Sequence, residues 1–174
     1  MSDPRYPIGR FDRGQEITPE KLAGWKDDVA ALPAQLRAAV AGLNDAQLDT
    51  PYREDGWTLR QVVHHLADSH MNAYIRFKLA LTEESPTIKP YFEERWAEQQ
   101  EARTAPIDVS LDLIDALHAR WSMALRNMSD PDFNRTFVHP ESGLTRLDVN
   151  LGIYSWHGRH HVAHITTTRE REGC

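Results

Sequence analysis

Apolar residues recur at helical spacing through four separate stretches of the chain. In "TPEKLAGWKDDVAALPAQLRAAVAGL", Leu22, Trp25, Val29, Leu32, Leu36, Val40 and Leu43 keep the three- and four-residue steps of one helix face. Thr18, Pro19 and Glu20 form a start signal: a hydroxyl cap, a proline with no N–H to lose, then an acid at the positive helix end. Pro33 lies inside the pattern and is expected to kink this helix or restart it. A second helix is predicted over 58–81, "TLRQVVHHLADSHMNAYIRFKLAL", with Thr58 as its cap. A third is predicted over 110–128, with Leu113, Leu117, Trp121, Ala124 and Met128 as its apolar line. A fourth is predicted over 148–169, "DVNLGIYSWHGRHHVAHITTTR".

The connections differ in character. "NDAQLDTPYREDG" reads as a link with one short helical turn. "TEESPTIKPYFEERWAEQQEARTAPIDV" is charged and broken by Pro86, Pro90 and Pro106, and reads as a long crossover with a short helix over 93–99. Loops this long inside a small domain are often functional. "SDPDF" repeats the cap-then-proline signal, and "RTFVHPESGLTRLDV" reads as a β-hairpin turning at "PESG". The predicted fold is all-α: a four-helix bundle with a long crossover and a small β-hairpin before the last helix, in one domain over 1–174.

Composition narrows the function classes. The chain has 174 residues and a formal net charge of −6, which argues against a nucleic-acid binder. No stretch approaches the roughly 20 apolar residues that span a bilayer. The N-terminal "MSDPRYPIGRFDRG" lacks the apolar segment of a signal peptide, so a cytoplasmic location is the expectation. The one cysteine is Cys174, the last residue, a poor position for a nucleophile.

Histidine changes the picture. Four of the nine histidines, His157, His160, His161 and His164, fall within eight positions of "WHGRHHVAHI". At about 100° per residue they share one helix face about 100° wide. Two pairs have the four-residue spacing at which adjacent imidazoles reach one metal: His157 with His161, and His160 with His164. Spacing does not choose between them. A tight site needs a ligand from a second helix. There His65 heads a polar line with Gln61, Asp68, Ser69, Asn72 and Arg76, while His64 and His70 lie off it. The fourth helix has a polar line of its own, Asn150, Tyr154, His157, His161, His164 and Thr168. If the two lines face each other they enclose a polar pocket, where bundles commonly hold metals. A lone histidine such as His118 or His139 reads as a surface or satisfied core residue. With no thiolate, H-E-x-x-H motif or paired Glu-x-x-His motifs, an imidazole site suits zinc or nickel with open positions.

"RYPIGRFD", "LDTPYREDGWTLRQVVHHLADSHMNAYIRFKLALTE", "TFVHPESG" and "LGIYSWHGRHHVAHI" closely resemble the YfiT-like family of the DinB-like superfamily of four-helix bundles. The resemblance covers almost the whole chain and is weakest around 92–107. It implies a cytoplasmic homodimer with one zinc or nickel ion per subunit, described as a metal-dependent hydrolase. Some relatives join the thiol bacillithiol to electrophiles as S-transferases. The family pattern places the metal ligands at His65, His157 and His161. It leaves His160 and His164 as neighbours with open roles.

Three functions follow as expectations. The first is hydrolysis of a small-molecule substrate by metal-bound water, with Asp68 as a weak candidate to orient His65. No general base is evident. The second is transfer of a low-molecular-weight thiol whose thiolate the metal stabilises, with Arg76 and Arg159 as candidates to orient it. The third is a non-catalytic metal- or ligand-binding bundle. Trp25, Trp121 and Trp156 are expected to pack in the core. Trp57 is expected to staple the second helix, and Trp96 to line a pocket or a dimer contact.

Overall fold

The computed structural model describes residues 3–174. In chain order it contains α1 (Pro19–Val40), α2 (Asp45–Leu48), α3 (Leu59–Thr82), α4 (Glu93–Ala97), α5 (Gln100–Thr104), α6 (Asp108–Asn127), α7 (Asp130–Phe133), β1 (Thr136–His139), β2 (Gly143–Arg146) and α8 (Leu147–Glu172). The four long helices are α1, α3, α6 and α8. Helix α1 packs beside α6 and α8, and α3 packs beside the same two. The first two long helices are therefore diagonal, and the segment between them must pass across an end of the bundle.

Caps set the helix starts where the sequence places them. Thr18 accepts from the Lys21 N–H at α1. At α3, Thr58 and Gln61 form a reciprocal capping box, so each satisfies an amide that the helix leaves without a partner. Gln61 thereby leaves the predicted polar line; its amide also donates to the Ala97 carbonyl at 2.8 Å and ties α4 to α3. The crossover contains two short helices, α4 and α5, where one was expected. It is also stitched to the hairpin: the Ile88 N–H donates to the Val138 carbonyl and the Val138 N–H to the Pro86 carbonyl. Arg60 is 4% exposed, and its guanidinium holds Asp45, Asp49 and the Ala105 carbonyl together. One charged side chain thus pins both connections to α3.

Two expectations change. Pro33 neither breaks nor restarts α1, which runs continuously from Pro19 to Val40. The apolar line of α6 is rotated: Leu113 is exposed, and Leu111, Ile114, His118, Trp121 and Leu125 face the core. The periodicity misleads because a histidine occupies the centre of the buried face.

Helices α1 and α8 approach closely where α8 carries glycine. A Cβ at Gly152 would lie 2.8 Å from both Phe11 and Trp25, and one at Gly158 would lie 2.8 Å from a Leu32 methyl. Alanine in place of glycine gains about 1 kcal/mol of helix propensity. Overpacking against two rigid rings costs about 1–3 kcal/mol and outweighs it. Gly152→Ala is therefore expected to lower stability in urea unfolding by about 1–2 kcal/mol. Gly158→Ala should cost less, because it meets the flexible end of a leucine.

Candidate metal centre

The polar lines of α3 and α8 do face each other. His65 comes from α3, about two turns past its cap; His157 and His161 come from successive turns of α8. The Nε2 atoms of His65 and His157 are 3.2 Å apart. Ring nitrogens of His65, His157 and His161 all lie within 4.8 Å of one another. Two ligands about 2.0–2.1 Å from a tetrahedral zinc would be separated by about 3.3 Å, close to the observed contact. Bare ring nitrogens brought this close repel unless a proton or a cation lies between them. The donor set therefore fits a divalent ion of borderline softness. His160, His161 and His164 form a second group with nitrogens within 4.8 Å, all from α8.

Electrostatics keeps these rings neutral. Burial pushes His157, His161 and His70 well below the usual imidazole range, and neighbouring histidines push further. Burial brings His65, His160 and His164 down to about 4. Among the described residues no carboxylate hydrogen-bonds to any of these rings. Neutral imidazole is the form that ligates a metal.

The rings stand on the wall of an open cavity of about 670 Å³. Trp57 packs against His65 in a tilted arrangement with centroids 4.6 Å apart and lies near-parallel to His161 at 6.5 Å. Its position before α3 therefore makes it a wall of the site. Trp156 is half-buried and stacks on His160 at 4.4 Å, lining the cavity, whereas the sequence reading had it in the core. Trp25 and Trp121 are core residues as expected. Trp96 lies outside this cavity, 39% exposed against Tyr91. The N-terminal segment, which drew no expectation, closes one side. Trp156 donates to the Gly9 carbonyl, and Tyr6 and Arg5 line the cavity.

Other residues separate clearly. His64 turns away to Ser110 Oγ at 2.6 Å and the Ala105 carbonyl, and packs α3 onto α6. Asp68 makes no hydrogen bond through its carboxyl among the described residues, so it does not orient His65; burial raises it to about 6. Arg159 is held by Asp28 at 3.3 Å. Arg76 opens on a neighbouring cavity of about 540 Å³ with Ser69, Tyr91 and Tyr154.

Two features were missed. Glu93 and Glu94 of α4 line both cavities, and burial on the cavity side, with the Glu94 charge, raises the Glu93 carboxyl above its ordinary range. His70, set aside because it lies off the polar line, is fully buried directly behind His157, with its Nε2 3.1 Å from His157 Nδ1. Six histidine rings around one spot of a four-helix bundle define a histidine-centred helical protein. The chain belongs to the DinB superfamily, whose model matches residues 29–165. It is 55% identical over 171 residues to a Bacillus cereus (strain B4264) protein named "Putative metal-dependent hydrolase", covering 98% of each chain. A Bacillus mycoides (strain KBAB4) protein with the same description is also 55% identical over 171 residues. The structure superposes on YfiT from Bacillus subtilis, a four-helix bundle of unusual topology, with TM-score 0.95, 49% identity and 98% of each chain covered. The four-helix bundle protein TT2238 shares the fold at 20% identity and TM-score 0.54. No described helix is long and apolar enough to cross a membrane.

The lowered histidines set the acid stability of the metal-free protein. In the unfolded chain these rings take up protons below about 6.5, while in the folded chain His65, His160 and His164 resist until about 4. The unfolded state binds more protons in that window, so stability is full above it and falls as pH drops through it. Proton uptake on unfolding at pH 5, measured from the pH dependence of urea midpoints, is expected to be about two or more per chain. A flat stability profile from pH 7 to 4.5 would contradict the burial of these rings.

Proposed function

We propose that this protein is a metal-dependent hydrolase whose centre is His65, His157 and His161, with zinc or nickel as the ion. One observation carries the reading: three neutral imidazoles, two buried and one half-buried, converge on the wall of an open cavity that also carries a carboxylate, Glu93. The descriptions of the Bacillus relatives support the same class. A divalent ion bound there supplies Lewis acidity, polarising a carbonyl-type oxygen and easing ionisation of a water.

The chain's own groups do the rest. The three histidines come from two helices and line the cavity wall, so an ion they held would be open to a substrate in the cavity. Trp57 packs against the His65 ring and lies near that of His161, helping to hold both side chains in place. Glu93, which lines the same cavity, takes a proton from the attacking water through a carboxylate oxygen and returns it to the leaving group. Partial burial and the neighbouring Glu94 charge raise its pKa, which makes it a better proton acceptor than an ordinary carboxylate. Glu98, a third acid of the crossover that lines the cavity, is already engaged by Gln61 and Arg103. The cavity volume suits a small-molecule substrate. A carboxylate in the cavity wall serves hydrolysis, where water must lose a proton; thiol transfer loses a more acidic proton and depends on such a group less.

The test is a survey of small esters, amides and lactams with zinc- or nickel-loaded protein. His65→Ala is expected to lose both metal and turnover. Glu93→Gln should keep metal affinity and lose about 10²–10⁴ in kcat/KM. A wild-type chain that holds less than one ion, or turnover that survives His65→Ala, would sink the reading. Thiol-dependent conjugation of an electrophilic dye without hydrolysis would replace it with the transferase.

A further inference from the structure

Pro33 has no N–H, so it cannot donate to the carbonyl four residues earlier, that of Val29. That carbonyl is turned to another use. His118 Nδ1 lies 2.6 Å from it. His118 Nε2 is 2.9 Å from His70 Nδ1, and His70 Nε2 is 3.1 Å from His157 Nδ1. The chain of contacts thus runs from α1 through α6 and α3 to α8. A carbonyl only accepts, so the direction of every proton follows. His118 donates from Nδ1 to Val29, and as a neutral ring it is a bare acceptor at Nε2. His70 must then donate from Nδ1, leaving its Nε2 bare. His157 must donate from Nδ1, leaving its Nε2 with a free lone pair facing His65.

The other α8 ligand repeats the arrangement. His164 Nε2 is 3.4 Å from the Arg5 carbonyl, and His164 Nδ1 is 3.2 Å from His161 Nδ1. Donation from His164 to the carbonyl leaves its Nδ1 as acceptor. His161 then donates from Nδ1, and its Nε2 is bare.

We propose that two histidine relays, each grounded on a backbone carbonyl, lock His157 and His161 in the Nδ1–H tautomer and present both Nε2 lone pairs to one metal. His70, His118 and His164 are positioning residues in this scheme. His164 supports the primary centre and does not build a second one with His160 and His161. The proposal rests on the reading of His157 and His161 as ligands, but the tautomers exist with or without the ion.

Histidine-selective ¹⁵N labelling of the metal-free protein, with long-range ¹H–¹⁵N spectra, reads each tautomer directly. The expected pattern is Nδ1–H at His157, His161, His70 and His118, and Nε2–H at His164. Nε2–H at His157 or His161 overturns the proposal. Zn²⁺ affinity, measured by competition with a chromophoric chelator, is the second readout. His70→Leu and His118→Leu, checked for helix content and cooperative unfolding, are expected to weaken Zn²⁺ by about 10- to 100-fold. His70→Gln and His118→Gln should restore affinity to within a few-fold, since an amide donates at one end and accepts at the other. Unchanged affinity in both folded leucine variants overturns the relay. If the leucine variants do not fold, the wild-type spectrum alone decides. If wild-type protein shows the expected tautomers but binds no Zn²⁺, the metal-centre reading fails and the relay stands.

Discussion

The carbonyl of Val29 is an acceptor that its own helix cannot fill, because the residue four positions on is Pro33. A buried carbonyl without a donor costs about 1–3 kcal/mol, so something must reach it. His118 does, from α6, and its other ring nitrogen then needs a donor of its own. That need is met by His70 from α3, and passed on to His157 of α8. One missing N–H therefore links all four long helices through a single line of hydrogen bonds. His118 and His70 each have both ring nitrogens satisfied, and the line fixes how the helices sit around the candidate metal centre.

The surrounding packing serves that line. Gly152 and Gly158 let α8 lie close to α1, which sets the histidine face of α8 toward α3 rather than outward. Trp121 and Tyr154 meet His70 edge-on at centroid distances of 6.0 and 5.1 Å, sealing it from water. Burial then keeps the rings uncharged, which is what ligation requires. Stability and function compete in this arrangement. Polar rings such as His70 and His118 occupy core volume that leucine could fill, and they hold their places through partners at both nitrogens.

Helices, caps, the hairpin and the histidine-bearing faces of α3 and α8 were legible along the chain, because each depends on local spacing. Thr58 caps by reaching three residues ahead, and His157 and His161 share a face because the helix repeats every 3.6 residues. The phase of α6 was not legible. Its buried face contains His118, and a pattern that scores histidine as polar rotates the helix away from the core. His70 was missed for the same reason: it lies off the polar line of α3 yet is buried behind it. Glu93 was missed because the crossover has no periodicity that tells which way α4 points.

By itself, then, the sequence determined which segments are helical, which histidines share a face, and that a metal-binding bundle was in prospect. All of these follow from chain geometry over a few residues. Only the tertiary structure decided what stands behind those histidines, which carboxylate shares their cavity, and where the carbonyl freed by Pro33 finds its donor. Those are contacts between residues such as Val29 and His118, 89 positions apart. Nothing in local spacing encodes them, because they depend on how four helices pack around one buried line of protons.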